Sequence, residues 1–226
     1  MLATFIIETV LALYTVARYK LDALGRLTVL MLLGLAVFQL CEYHVCGGWG
    51  VRASEWSRGG YVAITLLPPL GLHMLHVLAG KPGRKLVALA YATMVAFVAY
   101  FTVVPHVFNG YACTGNYVIF QIGTRPALAY GAYYYGWLLT AIVLGIRWSG
   151  VLKKKGAKAK SRMFAVQALV LGYLVFLVPT ALANSVKPET RRGIPSIMCG
   201  FAVLFAFILT LYILPKVGRL RAQAKH

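Results

Sequence analysis

Two acids in apolar surroundings, Glu8 and Glu42, are the first residues whose chemistry demands explanation. An ionisable group inside a membrane span is expensive and marks a functional position by default. A carboxylate facing hydrocarbon is neutralised or takes a partner. Both acids sit one to two turns inside the same end of their apolar stretches. They can therefore line a cavity that binds a cation, a proton or a polar ligand, or join a hydrogen-bond network with Tyr and Asn. His44 and His106 lie at similar depth and, with Glu8, Glu42 and the tyrosines below, are expected to line an outer-half pocket for a small ligand. With Glu42, Cys46 and Cys113 they are candidate transition-metal ligands, and as an opposed pair they are the axial candidates for a haem. Against a metal stands the spacing: Glu42 and His44, two apart on a helix, point to different sides, and no HxxxH or CxxC pair occurs. His73 and His76, three apart, share one face and are expected to bond to neighbouring helices. Tyr130, Tyr133 and Tyr134 also share a face. They form either the wall of a polar aromatic pocket, with Tyr130 and Tyr134 in contact with ligand, or an interfacial belt. Four cysteines remain. Cys46 and Cys113 are expected to form a disulfide that staples an outer loop to the helices. Cys41 and Cys199 pair only if their helices are neighbours, and otherwise act as small core residues.

The elements that position these groups follow from composition. Of 226 residues 60% are hydrophobic and only 12% charged, against about a quarter charged in soluble domains. Seven apolar stretches cover residues 2–15, 27–45, 60–79, 86–108, 126–146, 164–183 and 195–214. A hydrocarbon core of about 30 Å needs about 20 helical residues. The expected fold is all-α: a polytopic membrane protein, with residues 1–226 forming a single seven-transmembrane-helix bundle. The first stretch resembles a signal peptide in position, but it lacks a basic start and Glu8 interrupts it, so it counts as a helix. Pro68-Pro69 breaks the third helix near mid-membrane, and Pro105 and Pro179 each weaken a turn.

Charge sets the expected orientation. Seventeen of the 23 basic residues flank one side, and Arg52, Arg58, Arg125, Lys187, Arg191 and Arg192 flank the other. The positive-inside rule then gives N-terminus out and C-terminus cytoplasmic, in a plasma or inner cell membrane. Of the five acids only Asp22 falls on the basic side; Glu8, Glu42, Glu55 and Glu189 fall on the other. The net charge of +18 would suggest nucleic acid in a soluble chain; here it flanks helices, and no nucleic-acid partner is expected. Residues 147–162 form a basic cytoplasmic loop, read as mobile, that either meets anionic lipid head groups or only anchors topology. Residues 109–125, rich in Gly and Asn turn signals, should fold over the outer end as a short hairpin or cap. No G-x-S-x-G, H-E-x-x-H or Walker motif occurs. The last stretch has no lysine for a retinal Schiff base.

The segments VFQLCEYHVC (37–46), YVAITLLPPLGLHMLHVLAG (61–80) and RPALAYGAYYYGWLLTAI (125–142) resemble the seven-helix membrane sensor region at the N-terminus of some bacterial histidine kinases. They are equally similar to small uncharacterised bacterial membrane proteins of that shape. Glu42 and Pro68 stand where those proteins close helix two with a polar residue and interrupt helix three with a proline. The resemblance implies a ligand pocket among the helices. No kinase domain follows, so a sensor of this kind would pass its output to a separate cytoplasmic or membrane protein partner. Three other readings stand beside a receptor-like or accessory protein. They are a transporter or channel component using the intramembrane carboxylates, a haem-binding redox protein, and a non-catalytic subunit of a larger membrane complex.

Overall fold

The structure, a computed structural model, describes residues 1–47, 53–114, 117–156, 159–186 and 194–223. Arg52, Lys158, Lys187, Glu189, Arg191, Arg192 and Lys225, used above to weigh orientation, lie outside them, as do residues 115–116 of the 109–125 segment. The described chain runs α1 (Leu2–Arg18), α2 (Ala23–Gly47), α3 (Ala53–Thr65), α4 (Leu67–Ala79), α5 (Arg84–Val103), β1 (Phe108–Cys113), β2 (Val118–Ile122), α6 (Thr124–Lys154), α7 (Lys160–Val186) and α8 (Ile194–Phe207). A π-helical segment, Ile208–Ile213, then leads into α9 (Leu214–Gln223). Six helical segments are long and apolar enough to cross a membrane, with α3 plus α4 as one span and α8 through Gly218 as another. α1 has 17 residues, about 25 Å at 1.5 Å per residue. The chain has the build of a multi-pass helical membrane protein.

α3 and α4 form the most buried span, packed against α2 and α6, and α5 is the most exposed. Close approach rather than hydrophobic drive holds helices together in lipid. At Gly71 the Tyr173 hydroxyl occupies the space a Cβ would take, which lets α7 approach α4. α1 buries a single stripe, Glu8, Leu11, Ala12 and Thr15. This is the i, i+3, i+4, i+7 spacing of one helical face, laid on α2 and α8.

Several boundaries differ from the sequence expectation, including a third helix that begins at Ala53 rather than 60, and three of the differences have a local reason. The fourth helix, expected to reach residue 108, ends at Val103. Val104 precedes a proline and is extended, with ψ 124°, because the proline ring disfavours the helical region for its neighbour. Pro105 therefore lies beyond the helix it was expected to weaken. The Arg58 guanidinium caps this end, donating from Nη1 to the Phe101 carbonyl (2.8 Å) and from Nη2 to the Val104 carbonyl (2.8 Å). The 147–162 segment is largely helical. Arg147, Lys153 and Lys154 belong to α6, whereas Lys160 and Arg162 open α7. Lysine propagates a helix well and is favoured in a last turn, and Gly156, at φ 74°, makes the turn that ends it. The proline pair lies at the start of α4, just beyond the break at Leu66.

β1 and β2 pair antiparallel as the arms of a hairpin, Tyr111 with Phe120 and Cys113 with Val118, with an irregularity between Phe108 and Gly110. His106, at φ 56°, turns the chain from α5 into β1. A disulfide joins Cys46 at the end of α2 to Cys113 at the end of β1.

Candidate functional site

At the hairpin end, two linked features meet. The first is the acid pair. The α1 stripe carries Glu8 and the buried face of α2 carries Glu42. They are 0% and 1% exposed and close enough for Glu42 to act electrostatically on Glu8. Among the described residues, none of the four carboxylate oxygens closes a hydrogen bond of full geometry. The Ser196 hydroxyl at the start of α8 faces Glu42. It also accepts the Val118 amide at 3.0 Å, so one side chain connects hairpin and acid pair. A buried carboxylate without a partner costs several kcal/mol. The pair is thus a candidate position for a proton, a cation or a ligand's donor.

The second feature is a cavity of about 480 Å³ under β2, within the usual size of small-molecule sites. Phe120 and its β2 neighbours roof it, and Tyr61, Tyr130, Tyr134 and Tyr135 form much of its wall. Tyr61 is the junction. Its ring lies 5.0–5.5 Å from those of Phe101, Phe108, Phe120 and Tyr130. Tyr61 and Cys199 both line the cavity and both lie within electrostatic range of Glu42. The acid pair therefore stands behind the Tyr61–Cys199 side of the wall.

The proline break positions this wall. Thr65 needs a donor from residue 68 or 69 for its carbonyl, and both are prolines, without an N–H. The Tyr133 hydroxyl supplies it at 2.6 Å. The Thr65 hydroxyl donates to the Tyr61 carbonyl (2.6 Å) and lies 3.2 Å from the Tyr130 hydroxyl. Three residues of the tyrosine face on α6 thereby divide their tasks. Tyr133 holds the break, while Tyr130 and Tyr134 face the cavity.

The remaining sequence candidates fall elsewhere. The His44 ring stacks on Trp56 at 4.3 Å, with Nδ1 2.9 Å from the Leu40 carbonyl. His106 is exposed beyond α5. Neither lines the cavity. Among the described residues, no group of three or more His, Cys, Asp or Glu is gathered as a metal site. Cys41 and Cys199 are buried free thiols near Glu42. At the opposite end, His73 Nδ1 lies 3.2 Å from the Tyr91 hydroxyl, and His76 packs against Trp148 at 4.8 Å. Sequence reasoning did not single out Tyr61, Ser196, Phe120 or the capping role of Arg58. The one signal available was their position, since Tyr61 and Ser196 are polar residues at the mouths of apolar stretches.

Fold and site together give a helical bundle with, among the described residues, six segments long and apolar enough to cross a membrane, and a hairpin-roofed aromatic cavity at one end. No protein-family profile matches the chain, and no characterised protein is significantly similar to it.

Proposed function

We propose that this chain is a receptor-like or accessory seven-helix membrane protein, with α1 as the seventh membrane helix and the hairpin end outside. It takes a small aromatic ligand in the roofed cavity and passes the binding event to a separate partner. The carrying observation is the cavity itself: four tyrosines in the wall, a disulfide-anchored roof, and a carboxylate behind Tyr61. Aromatic walls favour a flat or cationic guest, and Glu42 favours one with a donor or an amine. The excess of basic residues at the other end supports the orientation. The resemblance to kinase sensor regions supports a sensing role.

The test is thermal stability of the purified protein titrated with indole, phenol, tryptamine and phenethylamine. Gly131 lines the cavity, and a Cβ there meets nothing within 4 Å, so Gly131→Phe is the variant chosen to fill it. Saturable stabilisation by at least one of the four, abolished by Gly131→Phe, is expected, with the amines most weakened by Glu42→Gln. Absence of saturable stabilisation by all four, or stabilisation indifferent to Gly131→Phe, would overturn the reading. The two buried acids, neither with an ion-pair partner among the described residues, favour a second reading, a cation or proton carrier. It predicts flux in proteoliposomes that Glu8→Gln and Glu42→Gln both abolish.

A further inference from the structure

The end opposite the hairpin holds a second and larger cavity. It measures about 870 Å³ and opens where the start of α2, the end of α4, the end of α6 and the start of α7 converge. Three cations border it: Lys81, Lys155 and Arg162. No acid lines it among the described residues. Asp22, the acid nearest in sequence to this rim, is engaged as a cap, its Oδ1 accepting the Gly25 amide at 3.0 Å. The side chains of Lys81, Lys155 and Arg162 form no hydrogen bond or ion pair with any described residue. The floor is apolar, with Leu24, Leu78 and Leu152 all at most 5% exposed.

The backbone beneath Arg162 is shaped to receive it. Gly80 ends α4 in the left-handed region at φ 62°. A Cβ there would stand 2.6 Å from Arg162 Nη1. The left-handed backbone favours glycine here, and the guanidinium end lies over it. The arginine presents a planar fork suited to phosphate, and two lysines on the neighbouring elements add point charges around the same space.

We infer that this cavity binds the phosphate of an anionic phospholipid head group, with the apolar floor receiving its glycerol and upper acyl region. Charge and place choose this occupant. The cavity lies at the rim of the spanning helices, where hydrocarbon gives way to head groups. Basic pockets between membrane helices are suited to such lipids. A lone phosphate ion would fill a small part of the volume and leave the apolar floor uncovered.

The experiment measures retention and thermal protection of the intact protein in mixed micelles. Its arms are phosphatidylglycerol, phosphatidylcholine and inorganic phosphate. Phosphatidylglycerol should protect saturably at concentrations where phosphatidylcholine does not, and native mass spectrometry should retain it. Arg162→Ala and Lys81→Ala should each weaken that protection about fivefold, and the double variant about twenty-five-fold. Lys216→Ala is the control, because that ammonium is occupied by the Tyr212 hydroxyl (2.9 Å) and the Phe164 ring; it should change nothing. Equal protection by the two lipids would overturn the inference, as would an equal loss in Lys216→Ala. Protection by inorganic phosphate without preference between the lipids would assign the site to free phosphate and overturn the lipid assignment.

Discussion

Replacing Tyr133 by phenylalanine removes one oxygen and tests how the broken span is held. The Thr65 carbonyl can reach no amide at residue 68 or 69, and its hydrogen bond comes from an α6 side chain 68 residues away. Leaving a buried acceptor unsatisfied costs about 1–3 kcal/mol. Hydrogen bonds between membrane helices average about 0.6 kcal/mol and reach about 1.7, because the unfolded chain finds other partners. Here the prolines remove the local partner in both states, so the upper part of that range applies. Tyr133→Phe should destabilise by about 1.5 kcal/mol, roughly tenfold in the folding equilibrium. Tyr130→Phe should cost about 0.5 kcal/mol or less, since its partner, the Thr65 hydroxyl, already donates to Tyr61. The decisive measurement is a double-mutant cycle with Pro69→Ala, which returns an amide to the position that the Thr65 carbonyl lacks. Equilibrium unfolding in mixed micelles, followed by tryptophan fluorescence, would read it. A coupling of about 1 kcal/mol is expected. If Tyr133→Phe costs as much in the Pro69→Ala background as in the parent chain, the proline-stripped carbonyl is not what Tyr133 serves.

Other perturbations reach other parts of the site. Arg58→Ala should destabilise by about 2 kcal/mol, since it removes charge-assisted bonds to the last carbonyls of α5. Arg58→Lys should recover less than half, because an ammonium cannot fork between carbonyls; the same unfolding assay reads both. Cys113→Ser opens a loop of 67 residues. Chain entropy sets an upper bound of about 4 kcal/mol on that loss, and faster amide exchange across 118–122 should accompany it. Ser196→Ala should deprotect the Val118 amide selectively while the rest of β2 keeps its exchange rates. Gly80→Ala should cost at least about 1 kcal/mol from the left-handed backbone, and about the same in an Arg162→Ala background, because the guanidinium is a flexible end that moves aside.

What was readable from sequence follows the range of the physics. Long apolar stretches declare themselves because a span must satisfy its backbone internally over about 20 residues. The Cys46–Cys113 bridge was readable because only these two cysteines flank the apolar stretches at the same end. The Pro68-Pro69 break was equally local. Its repair was not, since nothing near residue 65 says that a hydroxyl on α6 will arrive there. The end of the fourth helix fell between these cases. Pro105 was visible, but apolar residues continue past it, and composition alone extends the helix to 108. The tyrosine face on α6 was legible as a face, whereas the separate tasks of Tyr130 and Tyr133 depend on which helix stands opposite.

The acid pair gains its meaning from the same kind of distant contact. Glu42 was conspicuous for its type, yet the structure leaves it outside the cavity wall, behind Tyr61 and Cys199 and beside Ser196. Ser196 takes the Val118 amide from the roof and stands on α8, which packs against both α1 and α2. On the proposed reading, a ligand that lifts or settles the roof would shift the Ser196 hydroxyl relative to Glu42, and with it the electrostatic balance of the α1–α2–α8 contact. A signal along this route needs no charged group in direct touch with the ligand. It requires only that the Val118–Ser196 bond differ between empty and filled states. Ser196→Ala should then leave ligand affinity nearly intact while removing the ligand's effect on amide exchange along α1. Equal ligand effects on α1 in both proteins would show that the roof and the acid pair are independent.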